Sequence, residues 1–210
     1  MNTCYIVGAG DFTLKGLAPD ASDLVIAADG GYRYLKNAFI APSLVAGDFD
    51  SMGDVSVPEN IEIFRFPKEK DDTDMGLAVR EGIQRGYKVF RLYGGSGSRP
   101  DHFYANLQLL CGYAKQGYDI ALICPLFNVY AVSNGALTLS RPINTVLSVF
   151  SLDEVSFGVT LEGVKYTLKN ARLSSAFPLG VSNEFTSDTA RISVQSGTLL
   201  VFAYDRPEAP

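Results

Sequence analysis

Two carboxylates stand one residue apart in GDFDS (residues 47–51), where Asp48 and Asp50 follow an apolar run that should be a strand. One acid at a strand end is ordinary turn chemistry; a second needs another reason. The same mixture of glycine and acid recurs along the chain. The apolar run at 4–7 leads into Gly8-Ala9-Gly10-Asp11, and that at 24–28 into Asp29-Gly30-Gly31. The run at 61–66 is followed by KEKDDTD (68–74), and that at 89–93 by GGSGSRPDH (94–102). Ligands of open α/β sheets bind outside the carboxyl ends of the strands, so five successive strand ends of this kind point to one site. Carboxylates sharing a cleft repel each other unless a cation sits among them. Mg²⁺ fits, because it takes oxygen ligands from one or two carboxylates plus substrate phosphates. Zinc does not, since the chain has a single histidine and no cysteine cluster. At Gly94, Gly95, Ser96 and Gly97 the backbone N–H groups could approach phosphate oxygens with little side chain in the way. Arg99 could clamp a phosphate by a two-pronged contact. A helix starting near Asp101 would turn its positive end toward the same cleft.

Each feature also has a plainer explanation. GAGDFT (8–13) lacks the third glycine of a dinucleotide fingerprint, and GGSGSR (94–99) lacks the ending of a P-loop. Asp72 and Asp101 could be N-caps of their helices, which leaves a site role for their neighbours. His102, the only histidine, reads as a structural residue. Lys68 and Lys70 read as part of a solvated charged turn.

The elements that must carry these residues are legible from periodicity. The apolar runs at 4–7, 24–28, 44–46, 61–66, 89–93 and 120–124 are nearly continuous, as in strands covered on both faces. Met75, Val79 and Ile83, with Ala78 and Gly82 beside them, predict one helix; Phe103, Leu107, Leu110 and Ala114 predict another. Gly86 and Gly117 follow them as left-handed C-caps. The alternation predicts an α/β domain with a mostly parallel, Rossmann-like sheet over residues 1–127. Beyond it no helical pattern is convincing. Short alternating segments at 136–139, 145–150, 159–161, 166–168, 190–194 and 198–203 predict an all-β sandwich domain over 128–210.

Composition narrows the class. Of 210 residues, 47% are hydrophobic and 20% charged, which suits a globular protein. A formal net charge of −5 disfavours nucleic acid as a partner. No run is long enough to span a membrane, and the start has no basic n-region of a signal peptide. Cys4, Cys111 and Cys124 are far apart in apolar surroundings, which predicts buried thiols and a reducing, cytoplasmic setting.

These motifs together resemble the thiamine pyrophosphokinase family in its bacterial form. The matching segments are AADGG (27–31), GDFDS (47–51), KDDTDMGLAV (70–79), GGSGSRPDHFYANLQLL (94–110), LEGVKYTLKN (161–170), LGVSNEF (179–185) and GTLLVF (197–202). They span nearly the whole chain in order. The resemblance implies transfer of a pyrophosphoryl group from ATP to the thiamine hydroxyl, giving thiamine diphosphate and AMP. It implies a homodimer with active sites at the subunit interface. It implies that Asp48, Asp50 and Asp74 hold Mg²⁺ with Asp29 close by, and that Thr73, Arg99 and Asp101 line the ATP and transfer site. It places Ser182 and Asn183 at the thiamine pocket. Some relatives stack thiamine on tryptophan; this chain has none, and Phe185 is the expected substitute. Two other readings use the same residues: another Mg-dependent nucleotide phosphotransferase or hydrolase, and a non-catalytic nucleotide or thiamine sensor.

Overall fold

The computed structural model describes residues 2–47, 58, 61–65, 72–97 and 99–207. The chain divides into two compact units: residues 1–106 with 122–125, and residues 107–121 with 126–210. Two elements, α3 (Pro100–Lys115) and β6 (Asp119–Ile123), are each divided between them.

The first unit is built on parallel strands in the order β5 (Val89–Tyr93), β1 (Thr3–Val7), β2 (Leu24–Ala28), β3 (Leu44–Gly47), β4 (Glu62–Arg65). The apolar runs become strands because both faces are covered: every residue of β2 and β3 is buried. The edge strand β4 is exposed throughout. Among the described residues two helices lie wholly in this unit: α1 (Gly31–Asn37) and α2 (Asp74–Gln84). α2 buries Met75, Ala78, Val79 and Gly82 as the four-residue repeat predicted, while Ile83 is half-buried and Glu81, outside the repeat, is buried. Gly82 is a glycine for contact, since a Cβ there would come within 2.7 Å of the Phe90 ring and 2.8 Å of Cys4 Sγ. Gly86 and Gly117 adopt φ of 90° and 85°, as expected after helix ends.

The second unit contains two antiparallel runs of strands, the first belonging to a larger mixed sheet. One has the order β12 (Gly180–Glu184), β9 (Thr145–Ser151), β14 (Thr198–Pro207), β7 (Phe127–Ser133). The other has β11 (Leu168–Ser174), β10 (Val155–Glu162), β13 (Thr189–Ser193), β8 (Ala136–Ser140). Side chains from both sheets, among them Leu147, Val201, Leu161 and Ile192, share one core, which makes the expected sandwich.

β4 is exposed where cover on both faces was expected, and four further elements differ from the sequence reading. α1 is only two turns long and begins on a glycine pair, so it carries no periodic signal. β7 precedes the first segment read as a strand beyond residue 128. The strand expected at 166–168 instead begins at Leu168, because β11 is largely exposed and lacks apolar alternation. The segment 180–184, read only as ligand-binding, is the edge strand β12. Among the described residues no helix is long and apolar enough to cross a membrane. All three cysteines are buried and free.

Candidate active site

Chain order and spatial order part company at β1. Strands β1 to β4 run outward to one side, and β5 lies on the other side of β1. That switch point is where a parallel sheet opens for a ligand. The glycine-rich segments that follow β1 and β5 meet there. Gly8 N–H donates to Tyr93 O (2.8 Å), Gly10 N–H to Gly94 O (2.9 Å) and Asp11 N–H to Ser96 O (2.8 Å). The approach needs glycine: a Cβ on Gly10 would overlap the Ser96 carbonyl, and one on Gly94 the Gly8 carbonyl. Gly94 also has φ of 64°, which disfavours any side chain. Gly95 is fixed from behind, where buried Asn106 donates its side-chain N–H to Gly95 O (2.8 Å).

Asp29 leaves the end of β2 with φ of 48°. A left-handed conformation is tolerated by Asp, yet it costs energy that neighbouring contacts must hold. Its backbone N–H donates to Ala46 O (2.9 Å), and its Oδ1 is buried. The carboxylate lies against Gly47, where a Cβ would overlap it. The first glycine of GDFDS therefore makes room for the acid of the neighbouring strand. Asp48 and Asp50 lie outside the described residues.

Thr73 is the N-cap of α2, its Oγ1 accepting from Gly76 N–H (3.1 Å). Asp72 is therefore not the cap. It accepts from Thr73 N–H through Oδ1 (2.8 Å) and pairs with Arg80 (2.9 Å). Asp74 is half-buried in the first turn, where the helix dipole favours a negative charge. Asp101 is not a cap either: Pro100 is the first residue of α3, a position that suits its missing N–H, and Asp101 follows within the turn. Arg99 and Asp101 pair through both prongs, Nε to Oδ1 (3.0 Å) and Nη2 to Oδ2 (2.7 Å), on the surface. The hydrogen bond from Arg99 holds the Asp101 carboxyl well below the ordinary carboxylate range, and the same contact raises the Arg99 pKa. A phosphate reaching Arg99 must compete with that carboxylate. His102 is exposed on α3.

In the second unit, Ser182 and Asn183 are neighbours with different surroundings. Ser182 is exposed, with φ of 55°, at an irregularity between β12 and β9. Asn183 is buried at 3% exposure. Its Oδ1 accepts from Tyr166 N–H (2.9 Å) and Glu184 N–H (2.9 Å), and its Nδ2 donates to Tyr166 O (2.8 Å). It is a clamp on the backbone of Tyr166. The expectation for Phe185 is corrected: its side chain is fully buried in the sandwich core and has no face open to a ligand. An exposed aromatic held by Asn183 is Tyr166, 61% accessible, with the Lys165 ammonium 5.7 Å from its ring centre and Lys165 paired to Glu184 (3.0 Å). Sequence reading put Tyr166 in a strand. The available signal was a lone aromatic inside the polar stretch KYTLKN.

Two family models match successive parts of the chain. The family model for the catalytic domain of thiamin pyrophosphokinase matches residues 17–122, and that for its vitamin B1 binding domain matches residues 137–199. The thiamine pyrophosphokinase of Bacillus subtilis is 30% identical over 213 aligned positions, covering 96% of this chain and 98% of that protein. The crystal structure of the Bacillus subtilis thiamine pyrophosphokinase superimposes with a TM-score of 0.85 at 26% identity, covering 99% of this chain and all of that one. Thiamin pyrophosphokinase from Candida albicans shares the fold, with a TM-score of 0.76 at 13% identity, over 97% of this chain and 89% of that one.

Proposed function

Given that this chain belongs to the thiamine pyrophosphokinase family, we propose that it transfers the pyrophosphoryl group of ATP to the hydroxyl of thiamine, giving thiamine diphosphate and AMP. The observation that carries the reading is the glycine-rich edge at the β1/β5 switch point, with Asp29 pressed against the start of GDFDS. Gly94, Gly95 and Ser96 offer backbone to the phosphates there, and Thr73 and Arg99 add a hydroxyl and a guanidinium. Asp101 lines the transfer site beside Arg99. The parallel sheet serves as a Rossmann-like nucleotide platform within a catalytic domain of residues 1–127. A sandwich domain of residues 128–210 takes thiamine.

By residue type the acids suit magnesium, which takes oxygen ligands. The donors are all carboxylate oxygens, and Gly47 keeps open the space that the Asp29 carboxylate occupies. Asp48, Asp50 and Asp74 would hold the ion with Asp29 close by, and the ion would supply charge neutralisation to the phosphates. The chain's own task is to align the thiamine hydroxyl with the β-phosphorus and to exclude water, since this chemistry is mostly positioning. On the sandwich side, Tyr166 presents a flat face to the uncharged aminopyrimidine, Ser182 offers a hydroxyl at its rim, and Asn183 holds Tyr166 in place. A homodimer completes the reading, supported by the exposed Leu179 and Val181 at the edge strand β12. The buried thiols suit a cytoplasmic setting.

The test is incubation of the protein with ATP, Mg²⁺ and thiamine, with products separated by chromatography. Thiamine diphosphate and AMP in equal amounts are expected, and Asp50→Asn should abolish both while the protein stays folded. ADP or free phosphate in place of AMP would refute the reading.

A further inference from the structure

The strongest feature that the site described above does not use is a column of aromatic rings beside the glycine-rich edge. Phe12 directly follows the segment 8–11. Its ring stacks on Tyr34 of α1, with centres 4.8 Å apart and planes 13° from parallel. Phe12 also meets Tyr93, tilted, at 6.4 Å and 56°. The column is graded. Tyr93 is buried at 1% exposure and donates its hydroxyl to Lys15 O (3.1 Å), so it is a fixed base. Phe12 and Tyr34 are half-buried, and Tyr34 is the outer member of the stack. The Tyr34 hydroxyl reaches only a long contact, 3.4 Å, with Ala9 O. That contact places the ring next to the segment whose backbone forms the glycine-rich edge. A parallel aromatic pair, backed by a tilted core ring and half-open to solvent beside a proposed phosphate cradle, leaves ring surface for one more flat group.

We infer that the Phe12–Tyr34 pair is the platform for the purine base of ATP, which stacks on the open part of the Tyr34 ring while its phosphates lie along residues 8–11 and 94–97. This inference rests on the reading given under Proposed function and adds the position of the base. A base and a phosphate chain need different surfaces. The glycine-rich edge offers N–H groups and no flat apolar plane, and the aromatic pair offers the plane. Stacking of a base on an aromatic side chain is tolerant of base identity, although a purine covers more ring than a pyrimidine. The pair therefore sets affinity for the nucleoside and leaves the phosphate contacts unchanged.

The experiment is isothermal titration calorimetry of the whole protein in Mg²⁺ without thiamine, comparing ATP, CTP and inorganic tripolyphosphate. Tyr34→Phe keeps the π face, and Tyr34→Leu keeps apolar bulk without it. The expected result is that the wild type prefers ATP to CTP to tripolyphosphate. Tyr34→Phe should match it, and Tyr34→Leu should lose roughly tenfold in ATP affinity. Its tripolyphosphate affinity should not change, which also shows that the variant is folded. ATP binding by Tyr34→Leu equal to that of the wild type would overturn the inference. So would equal losses for ATP and tripolyphosphate, which would make the ring a support for the glycine-rich edge. A wild type that binds neither nucleotide nor tripolyphosphate would instead overturn the phosphate assignment on which the inference stands.

Discussion

Removing the Asn183 amide should separate its structural work from the binding work of its neighbours. In Asn183→Ala, Tyr166 N–H, Tyr166 O and Glu184 N–H lose their partner at a position only 3% exposed. A net contribution of about 1 kcal/mol per hydrogen bond gives a loss of about 3 kcal/mol, since water has poor access to replace the amide. For a chain of this size, 1 kcal/mol moves Tm by about 2–4 °C, so the variant should melt about 6–12 °C lower. Its KM for thiamine should also rise, because Tyr166 is no longer held. Two controls divide these effects. Tyr166→Ala removes a side chain that is 61% exposed, so Tm should hold while KM for thiamine rises. Ser182→Ala should behave the same way, with KM for ATP nearly unchanged. Differential scanning calorimetry and steady-state kinetics with each substrate varied in turn make the comparison. An Asn183→Ala protein melting within about 2 °C of the wild type would refute the clamp, and an unchanged KM for thiamine in Tyr166→Ala would refute the platform.

Gly10→Ala should force the segments after β1 and β5 apart, because its Cβ would overlap Ser96 O and lie 2.7 Å from Gly94 O. Loss of the two hydrogen bonds there should cost about 2 kcal/mol and raise KM for ATP, read by denaturant titration and kinetics. Asp101 stays ionised through the assay range, because Arg99 lowers its pKa. Asp101→Asn should therefore lower kcat without moving the acid limb of the pH–rate profile between about pH 5 and 8; a displaced limb would show that Asp101 titrates there. Arg85 donates to Glu62 on the edge strand β4 (2.7 Å) and lowers its pKa. A lowered carboxyl contributes stability that is present above its unfolded pKa, about 4.3, and is lost as pH falls through the lowered value. Glu62→Gln should thus flatten the acid side of the stability curve, measured by thermal melts across pH, and leave the neutral side nearly parallel to the wild type.

The sequence alone determined the chemistry and the order of the pieces. Glycines and acids at strand ends, an acid-rich helix start and two halves of different period are local facts, because backbone conformation and the facing of side chains follow from residue type and spacing. That is why the strands at 4–7, 24–28 and 89–93 and the buried face of α2 were legible. Which pieces become neighbours was decided by the tertiary structure. Residues 8–11 and 94–97 lie far apart in the chain, and only the pairing of β1 with β5 brings their backbones within hydrogen-bonding distance. Period says which side of a strand is buried, not which strand lies beside it. The same limit explains Phe185 and Tyr166. Both are aromatics in short segments near the expected ligand, and composition treats them alike. The sandwich buries the first because it points into the shared core, and the Asn183 amide holds the second outside it.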